Sequence, residues 1–381
     1  MHVVSVAEGL AKLGHELHVL VSPSRYPPRT HGGVTWYNMP PPFGVRQLRF
    51  VRALEVSRLA RTVKPDVVME RYYNFGGEGI IAARSVGATA VLEVNARVAD
   101  VPGSLKQKLD RASLVEPLRR WRDWQCAQAD LIITPSEKII PPHVPSEKML
   151  CTDCGADIDL FHPAAIGDVP FTKKPGDIVV IFSGTFRVWH GAVHLVDAIR
   201  RLHARGRTDI KGVLIGSGPE LPNVRKAADQ VEGVSLLDPV PQPQLPPILA
   251  AADIGAAPFD VSVHPALAHE FHWSPLKVFE YMASGLPVVA PHIERLTKIV
   301  RDGREALLYD ANDPDGLANA IDRLADPVLR RRLGAAARAR TEEEFNWRTH
   351  CRRLDEAIRA AHARRNFSRA DSPPVPSGAN Q

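Results

Sequence analysis

Runs of strand-forming residues alternate with helix-patterned stretches through most of this chain, and the alternation breaks once. Val3, Val4, Ala7, Leu10 and Leu13 mark one face of a helix that Gly14 ends, and HELHVLVS follows as a strand. VRQLRFVRALEVSRLARTV is helix-patterned, PDVVME a strand, GEGIIAARSVG a helix and TAVLEV a strand. A long basic helix over about Leu105 to Ala129 precedes LIITPS, another strand. Parallel strands need long crossovers between them, so this pattern predicts an α/β fold with a mostly parallel sheet covered on both faces.

The break is a Pro- and Gly-containing segment from about Pro163 to Gly176, which reads as a linker. DIVVIFSG, HGAVHLVDAIRRLHARG and IKGVLIGSG then restart the pattern, which runs to about Ala325. A length of 381 residues suits two domains. The expectation is two Rossmann-like domains, residues 1–164 and 165–345, facing across a cleft with ligands bound beyond the strand ends. Residues 346–366 read as an Arg-rich helix, and residues 367–381 have the composition of a disordered tail. A Rossmann-like half normally opens with a central strand and a Gly-rich turn. Only Met1 and His2 precede the first helix here, so that strand is expected to be missing, with the reading frame continuing upstream for about 15–20 residues.

The stretch SPLKVFEYMASGLPVVA, Ser274 to Ala290, reads as a capped helix followed by a buried strand. Ser274 is a good N-cap, Pro275 suits the first helical position, and Gly285 is a natural stop. Leu276, Phe279 and Met282 lie three apart, while Lys277, Glu280 and Ser284 share one edge. Lys277 is badly placed by local rules, because a cation in the first turn opposes the helix dipole. A site for a diphosphate accounts for it: the helix N-terminus offers N–H groups, Lys277 adds charge and Glu280 accepts from ribose hydroxyls. A surface Lys–Glu pair has the same spacing.

IFSGTFRVWHG joins a strand to a helix, where Gly184 lets the backbone approach a ligand and Arg187 can grip phosphate oxygens. IGSGPE places Gly216 and Gly218 after a strand, without the third glycine of a dinucleotide fingerprint. Glu93 and Asn95 close the apolar run of LEVNA, and Glu70 and Arg71 end another strand. Capping of a turn is an equal reading for Asn95.

SPLKVFEYMASGLPVVA resembles the donor-binding segment of the retaining, family 4 type glycosyltransferases of the GT-B fold, glycosyl transferases group 1. AEGLAKLGHELHVL, KPDVVMERY, LEVNA, ADLIITPSE, FSGTFRVWHG, IGSGPE, LAAADIGAAPF and IVRDGREALLYD match the family in order, from about Val3 to Phe345. The resemblance implies retaining transfer of a hexosyl group from a UDP- or GDP-sugar to a saccharide or lipid-linked acceptor, as in polysaccharide biosynthesis. It implies no metal or other cofactor, and a last helix that crosses back onto the first domain. Ser274, Pro275, Leu276, Lys277 and Glu280 would hold the donor, with Gly184, Gly216, Gly218 and nearby Glu220 lining its cleft. The family usually carries a basic residue just after Gly184 and a Lys before the second glycine; Thr185 and His190 stand there, so Arg187 or His190 takes the phosphate role. His272 occupies the register of the first of two family glutamates, with Glu270 close but out of register. In many relatives a histidine near this place contacts the reacting sugar, a role that the resemblance gives here to Asn95, and Glu93, Glu70 and Arg71 are acceptor-side candidates. Lys277 and Arg187 would stabilise the leaving diphosphate. A nucleotide-sugar epimerase on a similar fold and a non-catalytic nucleotide-sugar-binding relative are the alternatives.

Composition narrows the setting. A hydrophobic share of 44% and a charged share of 24% are those of a globular protein, and no apolar run reaches the length of a membrane-spanning helix. No signal peptide is visible, so a cytoplasmic location is expected. The net charge of +5 suits an anionic lipid surface, and nucleic acid is not expected as a partner. Lys106, Lys108, Arg111, Arg119, Arg120 and Arg122, with Trp121 and Trp124, mark a helix that could lie on the inner face of the plasma membrane, though such a pattern is more often a solvated face with the tryptophans in the core. Cys151 and Cys154 form one C-x-x-C, too few ligands for a zinc site, and the spacing of His264, His269 and His272 fits no standard metal cage.

Overall fold

The computed structural model describes residues 2–22, 32–98, 116–264, 267 and 271–370. The chain divides into two compact units, Met1–Asp153 with His350–Gln381, and Cys154–Thr349. The border at Asp153 lies upstream of the Pro163–Gly176 segment.

The first unit runs α1 (His2–Lys12), β1 (Leu17–Val21), β2 (Val34–Asn38), α2 (Ala53–Val63), β3 (Val67–Arg71), α3 (Glu78–Val86), β4 (Thr89–Glu93), α4 (Glu116–Gln128), β5 (Leu131–Thr134) and β6 (Met149–Cys151). All its strand pairs are parallel, in two pieces: β1 with β2, and a sheet of order β3-β4-β5-β6. β4 and β5 are buried along their whole length, whereas β1 is half-buried throughout. Continuous apolar runs such as TAVLEV become two-face-buried strands, as parallel sheets require. The stretch before α2 is a 3-10 turn, Arg46–Arg52, rather than the start of the α-helix. Lys64 ends α2 at φ +52°, donating its N–H to the Ala60 carbonyl in a left-handed cap.

The second unit runs β7 (Ile178–Ser183), α5 (Ala192–Ala204), β8 (Ile210–Ile215), α6 (Leu221–Ala228), β9 (Val234–Leu237), α7 (Leu245–Ala250), β10 (Ile254–Ala256), α8 (Leu276–Ala283), β11 (Val288–Pro291), α9 (Glu294–Ile299), β12 (Ala306–Tyr309), α10 (Gly316–Arg323) and α11 (Pro327–Glu343). Its six strands form one parallel sheet of order β12-β11-β10-β7-β8-β9. Side chains alternate across it: Val179 and Ile181 join Val278, Phe279 and Met282 on one face, while Ile178, Val180 and Phe182 join Leu195 and Ile199 on the other. β7 is flanked by β8, next in the chain, and by β10, so the chain reverses its direction of travel across the sheet at β7. A crevice opens at the carboxyl ends of strands at such a point.

The final helix, α12 (Trp347–Ala370), belongs to the first unit from His350 onward. It lies against α1, where a Cβ on Gly9 would collide with Cys351 Sγ, and His15 Nε2 and Asp355 Oδ1 are 2.8 Å apart. His362 Nδ1 lies 2.9 Å from the Thr89 hydroxyl, and Arg365 donates to Asp130 at 2.7 Å.

Candidate active site

In the second unit the ends of β7 and β8 are locked together by their loops. Gly184 N–H donates to the Ile215 carbonyl, and Phe186 N–H to the Ser217 carbonyl at 2.8 Å. Gly184, Gly216 and Gly218 have φ of +136°, +146° and +155°, a region that side chains oppose. A Cβ on Gly216 would collide with the Gly184 carbonyl, and one on Gly218 with the backbone of Phe186. The two loops can close on each other only with glycine at these places.

Lys277 reaches this floor from the first turn of α8. Its Nζ stands 3.7 Å above the centre of the Phe182 ring and 5.4 Å from that of Phe259, and 3.3 Å from where a Gly184 Cβ would be. The side chain is 8% exposed, and Nζ has no hydrogen-bond partner among the described residues. Burial lowers its pKa from 10.5 to about 7, against the pull of Glu280. Burial likewise raises Glu280, from 4.5 to about 7. An ammonium out of water without hydrogen bonds is costly, which is why burial holds the lysine well below its ordinary pKa.

The cap differs from expectation. Pro275, with φ −83° and ψ 74°, is the N-cap, and Leu276 is the first helical residue. Ser274 does not cap α8; it lies one residue before the N-cap, and its hydroxyl accepts the Cys154 N–H at 3.1 Å. Leu276 itself is exposed. The α8 helix is fixed by Tyr281, whose phenol oxygen accepts the Ser183 N–H at 2.7 Å, and by Phe279 stacked on Phe345 at 5.1 Å.

His190 closes another side of the site. It lies in the 3-10 turn Val188–His190, and its Nδ1–H donates to the Thr185 carbonyl at 2.6 Å. Burial, with the Lys277 charge, lowers its pKa to about 4, so the ring is neutral and its Nε2 is an acceptor. Arg187 is exposed and stacks over Trp189, 5.2 Å from the ring centre. Trp189 also meets Trp273 at 5.3 Å and His264 at 4.7 Å. His272 is buried beside Trp273, while His269 and Glu270 lie outside the described residues. Glu220 holds Asn223 at 2.8 Å, and its N–H donates to the Phe186 carbonyl.

The first unit gathers a separate polar cluster at the carboxyl ends of β3 and β4. Glu93 is buried; it accepts from Asn95 Nδ2 and lies 3.2 Å from His2 Nε2. Burial raises the Glu93 carboxyl, and the charge of Arg71 opposes that rise. Burial drops His2 and His350 to about 4, and the two rings meet edge to face at 6.1 Å. His350 Nδ1–H donates to the Asp153 carbonyl at 2.8 Å. Sequence reasoning missed His2 and His350, whose meeting depends on α1 and α12 folding together.

Glu70 has other work. Its carboxylate accepts N–H bonds from Gly77, Gly79 and Ile80, and so caps α3. Arg49 bridges Glu70 and Glu78, and Arg52 joins Glu78. Burial and the nearby Glu78 charge raise Glu70. In α4, Trp121 Nε1 donates to the Gly76 carbonyl, Trp124 stacks on Trp121 at 4.7 Å, and Arg122 is buried. Trp121 and Trp124 are half-buried, and Trp124 packs against the core of the first unit. Lys106, Lys108 and Arg111 lie outside the described residues.

Residues 1–140 match the model of Glycosyltransferase Family 4, and residues 177–326 that of Glycosyl transferases group 1. The chain is 30% identical over 229 residues to the D-inositol 3-phosphate glycosyltransferase of Corynebacterium glutamicum, which is 56% of this chain and 51% of that protein. It is 32% identical over 214 residues to the alpha-maltose-1-phosphate synthase of Mycolicibacterium smegmatis, 51% of this chain and 52% of that one. The chain thus spans about half the length of these curated relatives. The solved sucrose-phosphate synthase of Thermosynechococcus elongatus shares the fold, with a TM-score of 0.70 at 19% identity over 95% of this chain and 93% of that one.

Proposed function

We propose, for a chain that belongs to the group 1, family 4 glycosyltransferases of the GT-B fold, that it transfers a hexosyl group from a nucleotide-diphosphate sugar to a hydroxyl of a saccharide or lipid-linked acceptor, with retention. The observation that carries this reading is Lys277: a buried lysine whose Nζ has no hydrogen-bond partner among the described residues, over an aromatic ring and beside a glycine floor. A departing diphosphate accumulates charge as the glycosidic C–O bond breaks, and a fixed cation aimed at it lowers the barrier. Lys277 takes that role, with Arg187 as a second cation at the rim. The neutral His190 accepts from a donor hydroxyl, and Glu280 accepts from the ribose hydroxyls. Glu93 and Asn95 accept and donate to acceptor hydroxyls on the first unit. The scheme uses no metal: Lys277 and Arg187, with hydrogen-bond donors of the loops, offset part of the charge on the leaving group.

A non-catalytic nucleotide-sugar-binding protein is the second reading, favoured by His272 standing in the register where the family resemblance implies a glutamate. One experiment separates them. The protein is screened against UDP- and GDP-sugars by thermal shift, and stabilising donors are then followed by mass spectrometry with simple saccharide acceptors. Stabilisation with a mass-balanced glycoside and free nucleotide diphosphate supports transfer. Stabilisation without turnover supports the binding protein, and neither outcome with any donor overturns both.

A further inference from the structure

The sheet of the second unit comes apart at the end of β7, and one buried phenol fills the gap. Towards β8, β7 stays paired through Ser183, opposite Ile215. Towards β10 the pairing stops at Ile181, opposite Gly255, because β10 ends at Ala256. Gly184 N–H turns to β8, where it meets the Ile215 carbonyl, so the N–H of Ser183 turns the other way. It finds no strand there and donates instead to the phenol oxygen of Tyr281 at 2.7 Å, with the Ser183 hydroxyl 3.3 Å from the same oxygen. The Tyr281 ring reaches that point by lying across Gly255, where an added Cβ would stand 2.5 Å from Cγ and Cδ2 of the ring. Tyr281 is fully buried, and burial raises its pKa, so the phenol keeps its proton.

Tyr281 stands four residues after Lys277, so the two side chains leave the same face of α8 one turn apart. Lys277 comes down over the Phe182 ring and beside Gly184, and Tyr281 meets Ser183 between them. Three consecutive residues at the end of β7 are thus clasped by two side chains of one helix. Directional ties between α8 and the sheet are otherwise few. No side chain caps the N-terminus of α8. Val278, Phe279 and Met282 share an apolar cluster with Val179 and Ile181, but the hydrophobic effect has no preferred direction. Among the described residues no other side chain of α8 hydrogen-bonds the sheet.

We propose that Tyr281 is a positioning residue of the donor site: its bond to Ser183 sets where α8 stands on the end of β7, and so holds Lys277 Nζ where the diphosphate of the donor is met. The inference rests on the reading of Lys277 as the cation that meets the diphosphate. The Tyr281 hydroxyl lies in the sheet and acts through Lys277. Without it the Ser183 N–H is buried and unpaired, and a shift of α8 or of the β7 end relieves that cost. Either movement changes the distance between Lys277 and Gly184, and a preorganised site loses much of its strength when misplaced by about 1 Å.

The test is a double-mutant cycle on the full chain, read by calorimetric affinity for UDP and GDP. Tyr281→Phe keeps the ring on Gly255 and removes only the oxygen. It is expected to fold, and to bind the nucleoside diphosphate about tenfold more weakly than the parent. In a Lys277→Met background the same change should alter affinity by less than about twofold, because a residue that acts through Lys277 then has nothing to position. A general loosening of the site would weaken both backgrounds alike. Equal affinity of the parent and Tyr281→Phe overturns the inference, as does an equal loss in the two backgrounds. If Tyr281→Phe is not fully folded in buffer, all four proteins are compared in trimethylamine N-oxide, which favours the compact state. A Phe variant unfolded even there makes the hydroxyl a requirement of folding and also overturns the inference. A parent that binds neither UDP nor GDP refutes the reading of the site itself and takes this inference with it.

Discussion

Replacing Lys277 by Met should make the free protein more stable and the enzyme inactive, and both effects have a size that the site itself sets. Methionine keeps an unbranched stem over Phe182 and removes the buried charge. A fall of the lysine pKa from 10.5 to about 7, at 1.36 kcal/mol per tenfold change in proton affinity, corresponds to about 5 kcal/mol of resistance to charging. The cation above the Phe182 ring at 3.7 Å returns up to about 2 kcal/mol that methionine would forfeit. The net gain is about 3 kcal/mol near pH 7. The pH dependence has a definite sign. A lysine with a lowered pKa binds fewer protons folded than unfolded between about 7 and 10.5, so its deficit is full below about 7 and disappears as the pH rises towards 10.5. The advantage of Lys277→Met should shrink over that same window. Urea unfolding at a series of pH values measures it, and titration with nucleotide diphosphate measures the lost affinity. A Met variant less stable than the parent at neutral pH, or one that binds nucleotide equally well, would refute the account of Lys277 as an unpaired cation awaiting an anion.

Glu280→Gln should weaken nucleotide-sugar binding by about 1.5–3 kcal/mol with little change in folding, and equal calorimetric affinities would remove it from the site. Arg187→Ala should cut turnover on the order of a hundredfold if its guanidinium leaves Trp189 for the diphosphate; unchanged turnover would mean that it stays on the ring. Binding of a nucleotide-diphosphate sugar at about pH 8 should take up a proton, because the anion returns Lys277 to its charged form; calorimetric enthalpies that do not depend on the buffer would contradict this. Gly216→Ala, which drives a Cβ into the Gly184 carbonyl, should lower stability by about 1–3 kcal/mol and abolish donor binding, and a variant as stable as the parent would show that the two loops can part.

The second unit was largely legible in the sequence because its information is local. Strand and helix periods, the glycines after β7 and β8, and the misplaced Lys277 are each set within a few residues, and they met where the sheet order reverses. What was not legible depends on distant partners. The hydroxyl of Ser274 looked like a helix cap, but the backbone of Cys154, far away in the chain, holds it. Glu70 looked like a strand-end site residue, yet three N–H groups at the start of α3 converge on it, and no pattern in KPDVVMERY says so. His2 and His350 meet through the packing of α1 against α12, which no spacing encodes. Trp121 and Trp124 read as core more often than as membrane anchors; the Gly76 carbonyl that takes the Trp121 indole N–H, a partner some 45 residues away, could not be seen in the spacing.

The two polar sites share one physical device with opposite sign. In the second unit a lysine is buried without a hydrogen-bond partner among the described residues, and burial suppresses its charge against the pull of Glu280. In the first unit a carboxyl is buried among imidazoles that burial keeps neutral, and its own pKa is raised. Neither site is arranged for greatest stability, because a well-packed apolar residue in place of Lys277 or Glu93 would cost the fold less. Binding energy from a ligand of the right charge can offset what folding gave up. A diphosphate suits the first arrangement, since it returns the full attraction of a desolvated cation. A neutral, hydroxyl-bearing molecule suits the second, because burial already disfavours the charge on the Glu93 carboxyl and hydroxyls can hydrogen-bond to it without adding a further charge to bury. A charged acceptor group would have to answer to Arg71 instead, at the end of β3, where the side chain is exposed and its charge still reaches Glu93 and His2.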